Sequence, residues 1–319
     1  MQLPITLKLA IEKLLSNEKM SSLSQSYQDL SQIYRHKKFN DTVNLSKFHQ
    51  AYLASRLPAT YASMLQALQE LIHYPEINSI QNILDLGSGP GTTLWSIQNI
   101  FPLIKNFTLI EKDAQFIEIG KILSAPLTSD LNTTWIEQDI QKFINNANAY
   151  DMTVMSYTLG ELLEQDRINI ISKIWNITQK IFLCIDPGTP EGFNRIREVR
   201  QKLIDLGAYL IAPCPHHLTC PMAEGNWCHF RARIERSSLH RYVKSAVLNY
   251  EDEKFSYIIA SKIPIQNLAQ QRILRNPIQR PGRVIFELCT PKGLTQTTIS
   301  RKQGEFYKKA RKADWGDRL

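Results

Sequence analysis

Between residues 82 and 186, short apolar runs alternate with longer stretches in which apolar residues recur every three to four positions. NILDL (82–86), FTLIE (107–111), TTWIE (133–137), DMTVMSY (151–157) and KIFLCID (180–186) have the length and apolar density of buried strands. Helices are predicted from about Thr92, over ELLEQDRINIISKIWNI (161–177), and over about 190–206. This alternation implies an α/β fold with a parallel, doubly wound sheet. Ahead of it, 1–78 is predicted helical, with apolar residues at helical spacing in YLASRLPATYASMLQALQELI (52–72). Beyond it, 208–234 is rich in Pro and Cys. FSYIIASK (255–262) and RVIFELC (283–289) are predicted late strands that close the sheet antiparallel. The expected organisation is an N-terminal helical region (1–78), a core (79–207), a Cys-rich insertion (208–254) and a tail with the final strands (255–319).

At 319 residues, 43% hydrophobic and 21% charged, the chain can bury a core, which excludes wholesale disorder. No run approaches the ~18 apolar residues of a membrane helix. Lys8, Glu12 and Lys13 interrupt the first apolar run, and the first 20 residues hold Glu12 and Glu18 but no Arg. Neither a secretory signal nor a mitochondrial presequence is recognisable. The expectation is a soluble protein of a bacterial cytoplasm, or of the mitochondrial matrix if eukaryotic, and a monomer with no membrane partner. The net charge is +8, but residues 1–150 carry −1 and 151–319 carry +9. Basic residues cluster at 195–202, 231–244, 272–283 and 301–312, with Tyr242, Phe306, Tyr307 and Trp315 among them. That mixture suits RNA phosphates and stacked bases; the plainer alternative is a solvated face balanced by acids elsewhere.

The first chemical motif is LDLGSGPGT (84–92). After Asp85, Gly87, Gly89 and Gly91 permit a tight turn that brings backbone close to a ligand. Glu111, closing the next strand, has the spacing of a carboxylate that grips ribose hydroxyls. Asp139 follows the third strand, where an adenine would lie, and Ser156 ends the fourth. This resembles the first motif of S-adenosylmethionine-dependent methyltransferases; the glycine spacing suits a nicotinamide dinucleotide less well. No catalytic residue can be assigned. SYTLGEL (156–162) lacks the Asn/Asp-Pro-Pro-aromatic turn of amine methyltransferases, and Glu161 is the sole acid at the expected pocket mouth.

Five cysteines in a chain without a secretory signal argue against a disulfide framework. Cys184, inside a predicted strand, is read as a core thiol. Cys214, Cys220 and Cys228 share one Pro-rich loop, and Cys289 ends a late strand. Four thiolates suit an iron–sulfur cluster or zinc. The absence of any CxxC pair favours a 4Fe-4S cluster, with His216, His217 and His229 as alternative zinc ligands or as solvent- or RNA-facing residues.

AYLASRLPATYA (51–62), ILDLGSGPGT (83–92), SYTLGEL (156–162), DPGTPEGF (186–193), APCPHHLTCP (212–221), WCHF (227–230), YEDEKFSYI (250–258) and YKKARKADWGD (307–317) together carry a more specific resemblance. It covers nearly the whole chain. The chain resembles the methyltransferase-like assembly factors of the mitochondrial small ribosomal subunit and their bacterial relatives. The resemblance implies a 4Fe-4S cluster on Cys214, Cys220, Cys228 and Cys289, and binding to small-subunit ribosomal RNA. It leaves catalysis open, because some members act as binding factors. Three expectations follow: an RNA-binding assembly or translation factor, an active rRNA methyltransferase, and an iron- or redox-sensing regulator. A small-molecule methyltransferase would leave the basic surface unexplained.

Overall fold

The computed structural model describes residues 1–36, 45–127, 129–265 and 270–319, so 37–44 of the predicted helical region lie outside the described residues. The strands, in chain order, are β1 (Asn82–Leu86), β2 (Asn106–Glu111), β3 (Asn132–Glu137), β4 (Tyr150–Ser156), β5 (Thr178–Pro187), β6 (Tyr209–Ala212), β7 (Phe230–Glu235), β8 (Tyr250–Ser261), β9 (Arg272–Ile273), β10 (Ile278–Arg280), β11 (Arg283–Thr290) and β12 (Gly293–Ser300). The chain divides into two compact units.

The first unit comprises Met1–Leu68, Gly87–Ile140 and Ala232–Glu253. Its N-terminal helices are Ile5–Leu14, Met20–His36 and Leu45–Ala51, and a π-helical turn at Tyr52–Arg56 runs into Leu57–Gln69. β2 and β3 pair in parallel, with Glu111 opposite Glu137. Helix Ala114–Ser124 packs against helix Ile5–Leu14. Phe48 and Ala51 meet Phe116 in a buried cluster that Tyr27 and Tyr52 flank. The predicted N-terminal helices therefore serve, in part, to cover the helix that follows β2.

The second unit comprises Gln69–Leu86, Gln141–Arg231 and Lys254–Leu319. β1, β4 and β5 pair in parallel in that order. β8 then joins β5 antiparallel, with Cys184 opposite Ile258, and β6 joins β8 antiparallel. Residues 181–186 of β5 are all buried, as a strand covered on both faces requires. Parallel strands closed by antiparallel ones make a mixed sheet, with the parallel centre that the strand pattern implies. FSYIIASK takes the predicted closing position within β8.

RVIFELC does not. It forms β11, the centre of a separate antiparallel sheet with β10 and β12 as neighbours and β9 alongside. The reason is its one-sided pattern. Val284, Phe286 and Leu288 are buried while Arg283 and Glu287 are exposed, so it can cover one core but not stand between two helical layers. That core is completed by Ile273 and Ile299, and by Tyr307 and Ala310 of helix Glu305–Ala310.

Candidate functional site

The glycine turn belongs to the first unit. Gly87, Gly89 and Gly91 all take positive φ (74°, 52° and 81°), a conformation costly for residues with a Cβ. The Gly87 and Ser88 amides donate to the Ile110 carbonyl at 2.8 and 3.0 Å, fastening the turn to the end of β2. The Gly89 amide donates to Glu111 Oε2 at 2.8 Å, while Glu111 Oε1 accepts from the Lys112 and Asp113 amides at 2.8 and 3.0 Å. Glu111 is thus the post that holds the turn open as well as the predicted ribose carboxylate. Gly91 begins helix Thr92–Ile100 in the left-handed conformation, and an added Cβ would sit 3.0 Å from the Trp135 ring. Asp139 is exposed just beyond β3.

No sequence motif signals the aromatic wall beside this turn. A Cβ on Gly89 would lie 3.8 Å from the Tyr52 hydroxyl. The Tyr52 ring meets Phe116 edge-on, with centroids 5.0 Å apart. Asp113 caps helix Ala114–Ser124 by accepting from the Gln115 and Phe116 amides. Its other oxygen lies 2.7 Å from Nε2 of the buried His49. The AYLASR segment therefore sits over the turn, and its π-helical turn is the kind of irregularity that collects at functional sites.

Asp85 and Ser156 belong to the second unit, near the ends of β1 and β4. Asp85 is 1% exposed. Tyr157 takes φ 60°, an outlier for a bulky residue, and its amide donates to the Ile185 carbonyl at 2.8 Å. The DPGTPEGF segment has a structural logic. A Cβ on Gly192 would fall 2.0 Å from the Pro187 carbonyl, and one on Gly188 would meet β8 backbone at 2.7 Å. Thr189 caps the helix Pro190–Asp205 that follows.

That helix carries Arg200 into the second candidate site. Cys214, Cys220, Cys228 and Cys289 all line one cavity of about 40 Å³, with Arg200, His216, Tyr257 and Arg272. Cys184 is not among them; it is buried in β5, as expected. Arg200 Nε donates to Cys214 Sγ at 3.2 Å, and its Nη2 donates to the His216 and Leu218 carbonyls at 3.0 and 2.6 Å. Arg272, 1% exposed, donates to the Pro213 carbonyl at 2.9 Å and to both oxygens of Glu70. Arg275 holds the Trp227 carbonyl at 3.2 Å, and Ser256 donates to the Cys228 carbonyl at 2.8 Å. The loop is pinned from four directions by side chains outside it.

Burial pushes the Cys289 thiol up to about 12 and the Cys228 thiol well above its ordinary value, reinforced by the neighbouring cysteines. Burial also raises Cys214, against the opposing pull of Arg200. Without a ligand these groups are thiols; a metal would displace their protons. The predicted histidines are not solvent-facing. His216 Nε2 lies 3.5 Å from Cys289 Sγ. His217 Nε2 accepts the Leu210 amide at 2.8 Å, and His229 stacks on Trp227 and meets Trp315 edge-on. Burial lowers the pKa of all three. Among the described residues, no three His, Cys, Asp or Glu side chains are grouped to hold one metal ion. A tetrahedral ion about 2.3 Å from each sulfur needs sulfurs roughly 3.8 Å apart.

Many predicted basic residues turn out to be spent internally. Arg195 pairs with the buried Asp186, Arg233 with Asp252, Arg231 with Asp314, and both Arg236 and Lys244 with Glu251.

A family model described as mitochondrial small ribosomal subunit Rsm22 matches residues 47–319, which takes in both sites. The chain belongs to this Rsm22 family. Among the relatives of this family member is the human mitochondrial ribosome assembly protein METTL17, 24% identical over 287 residues, spanning 84% of this chain and 61% of that protein. The Saccharomyces cerevisiae mitochondrial ribosome assembly protein RSM22 is 23% identical, spanning 84% and 66%. A Schizosaccharomyces pombe Rsm22-cox11 tandem protein is 25% identical, spanning 84% and 42%. The chain thus spans between two fifths and two thirds of the curated relatives it matches. Among solved structures, the magnesium protoporphyrin IX methyltransferase of Synechocystis is similar over 72% of this chain and 89% of its own, at 10% identity and a TM-score of 0.44. No helix among the described residues is long and apolar enough to cross a membrane.

Proposed function

We propose that this Rsm22-family chain is an RNA-binding assembly factor of a small ribosomal subunit, built on a methyltransferase scaffold. The observation that carries the reading is the family match over residues 47–319, with relatives named as ribosome assembly proteins. In support, residues 151–319 hold the whole positive excess of the chain. We further propose that Cys214, Cys220, Cys228 and Cys289 hold a 4Fe-4S cluster. Convergence of these four side chains, from a loop and from β11, on one cavity supports the assignment. When bound, the cluster supplies a covalent cross-link between the loop and β11, in a stretch with little apolar core of its own. Arg200 donates a hydrogen bond to one ligand sulfur, and Arg200 and Arg272 offset the negative charge of four thiolates. We also propose the division expected from the sequence, with a helical region at 1–78, a core at 79–207, a cluster-binding insertion at 208–254 and a tail at 255–319. The loop that bears three of the cysteines is the 213–229 stretch between β6 and β7.

The glycine turn favours a second reading, that the chain also binds S-adenosylmethionine and methylates rRNA. Gly87, Gly89, Gly91 and Glu111 would form the candidate pocket in the first unit, with Asp139 as a further contact. The test separates the two. Depletion of the protein should leave small-subunit precursors unfinished in both cases. A Gly89→Arg variant should block assembly only if the cofactor is used, and rRNA should lose a methyl group only if the chain is an enzyme. Normal small subunits in depleted cells would overturn the assembly reading.

A further inference from the structure

The basic clusters look equivalent in sequence but not in the fold. Residues 270–319 hold 12 Lys+Arg against 4 Asp+Glu, a net of +8 that equals the charge of the whole chain. Arg272 and Arg318 are bound to Glu70, Arg275 to Asn226 and the Trp227 carbonyl, and Lys308 to Glu305. Among the described residues, no carboxylate pairs with Arg280, Arg283, Arg301, Lys302, Lys309, Arg311 or Lys312, and all seven are exposed.

The small sheet gathers several of them at one end. β10 and β11 are joined by Pro281 and Gly282, and the register sets Arg280 opposite Arg283. Arg283 in turn stands opposite Ser300 of β12. The next residue, Arg301, donates its amide to the Gly282 carbonyl at 3.0 Å. Gln279 donates to the Arg311 carbonyl at 3.1 Å, which ties the end of the C-terminal helix to β10. Like charges set directly across a strand pair oppose folding. A fold that nonetheless gathers guanidinium groups with no internal carboxylate is complementary to an external polyanion.

We propose that this end of the small sheet, formed by Arg280, Arg283 and Arg301 with Lys302 and Arg311 beside them, is the docking face for the phosphate backbone of folded RNA. The inference rests on the RNA-binding reading above and narrows it to one face. Arg195, Arg200, Arg231, Arg233, Arg236 and Lys244 of the clusters at 195–202 and 231–244 serve the fold, and this face makes the phosphate contacts. Phe306, 45% exposed on the C-terminal helix, offers a ring for an unstacked base.

The test is fluorescence anisotropy of the full chain with a labelled small-subunit rRNA hairpin, titrated with salt. Each phosphate contact contributes roughly 0.7 to 0.9 to the slope of log K against log salt. Replacing Arg280, Arg283 and Arg301 together by Gln should therefore flatten the slope by about 2 to 3 and weaken binding by at least ~10-fold at low salt. Replacing the exposed Lys8, Lys13 and Lys19 by Gln, an equal charge change on the other unit, should leave the slope unchanged. A parallel melting curve confirms that each variant is folded. If both triple variants lose affinity equally, or neither does, this face is not the docking site, while binding by the unaltered protein still upholds the RNA reading. If the unaltered protein ignores RNA but captures an acidic protein surface, the RNA reading and this inference fall together.

Discussion

At the scale of single residues, the strongest constraints come from side chains that the hydrophobic pattern cannot identify. Gly120 is the clearest case. A Cβ there would lie 2.2 Å from the Trp135 ring, so the glycine is a socket for the indole. Gly120→Ala should cost about 1–3 kcal/mol through overpacking. Adding Trp135→Leu should recover part of that loss in denaturant unfolding. Arg272 is another. In sequence it is one of several basic residues in a cluster, yet it is 1% exposed and shares Glu70 with Arg318 across about 200 residues of chain. Burial alone would raise the Glu70 pKa, but the two arginines hold it below the usual carboxylate value. Arg272→Leu leaves Glu70 to Arg318 alone and the Pro213 carbonyl without its donor, and should destabilise by about 1–3 kcal/mol, measured by chemical denaturation.

Glu251 makes the pH dependence visible. Burial opposes its charge, but the contact with His240 and the Lys244 ammonium hold its pKa far below the ordinary carboxylate value of about 4.5. Burial lowers the His240 pKa against the opposing pull of Glu251, and Arg236 completes the cluster. Because the folded pKa is the lower one, this stabilisation is complete above about pH 4.5 and is lost as the pH falls towards the folded value. Thermal melts between pH 7 and pH 3.5 should show a shallower acid-side decline for Glu251→Gln than for the unaltered chain. An identical decline in both would count against the pairing.

At the scale of elements, legibility followed burial. β1, β2, β4, β5 and β8 were readable because a strand covered on both faces is a dense apolar run with sharp ends. DPGTPEGF was readable as a helix start because Thr189 and Pro190 cap it in the ordinary way. The small sheet was only half visible. β9 and β10 have two and three residues, and β12 (GLTQTTIS) is largely polar and exposed. β11 is recognisable as a strand, but the expectation that it closes the main sheet fails, since pairing over long separations is set by tertiary packing. The cysteine loop shows the converse. Its spacing suggested a shared site, and all four cysteines do line one cavity. The arginines that fasten it, Arg200 and Arg272, looked like surface charge. Replacing any one of Cys214, Cys220, Cys228 and Cys289 by Ser should lower the iron and sulfide content of anaerobically purified protein, and Cys184→Ser should not. Equal iron in all five variants would contradict the assignment.

At the scale of the whole molecule, charge and fold divide the labour. The first unit holds the glycine turn under an aromatic wall, and the second holds the cysteine cavity and the exposed cations of the small sheet. The one-sided charge was legible from sequence, but not which cations were free. That depends on carboxylates such as Asp186, Glu251 and Asp314, which fold back onto the basic clusters. The central claim is association with a small ribosomal subunit in the course of assembly. Gradient sedimentation of an extract carrying the tagged chain tests it most directly. The chain should migrate with small-subunit precursors at low salt, be released as salt rises, and be absent from finished ribosomes. A chain that stays at the top of the gradient at every salt concentration would contradict it.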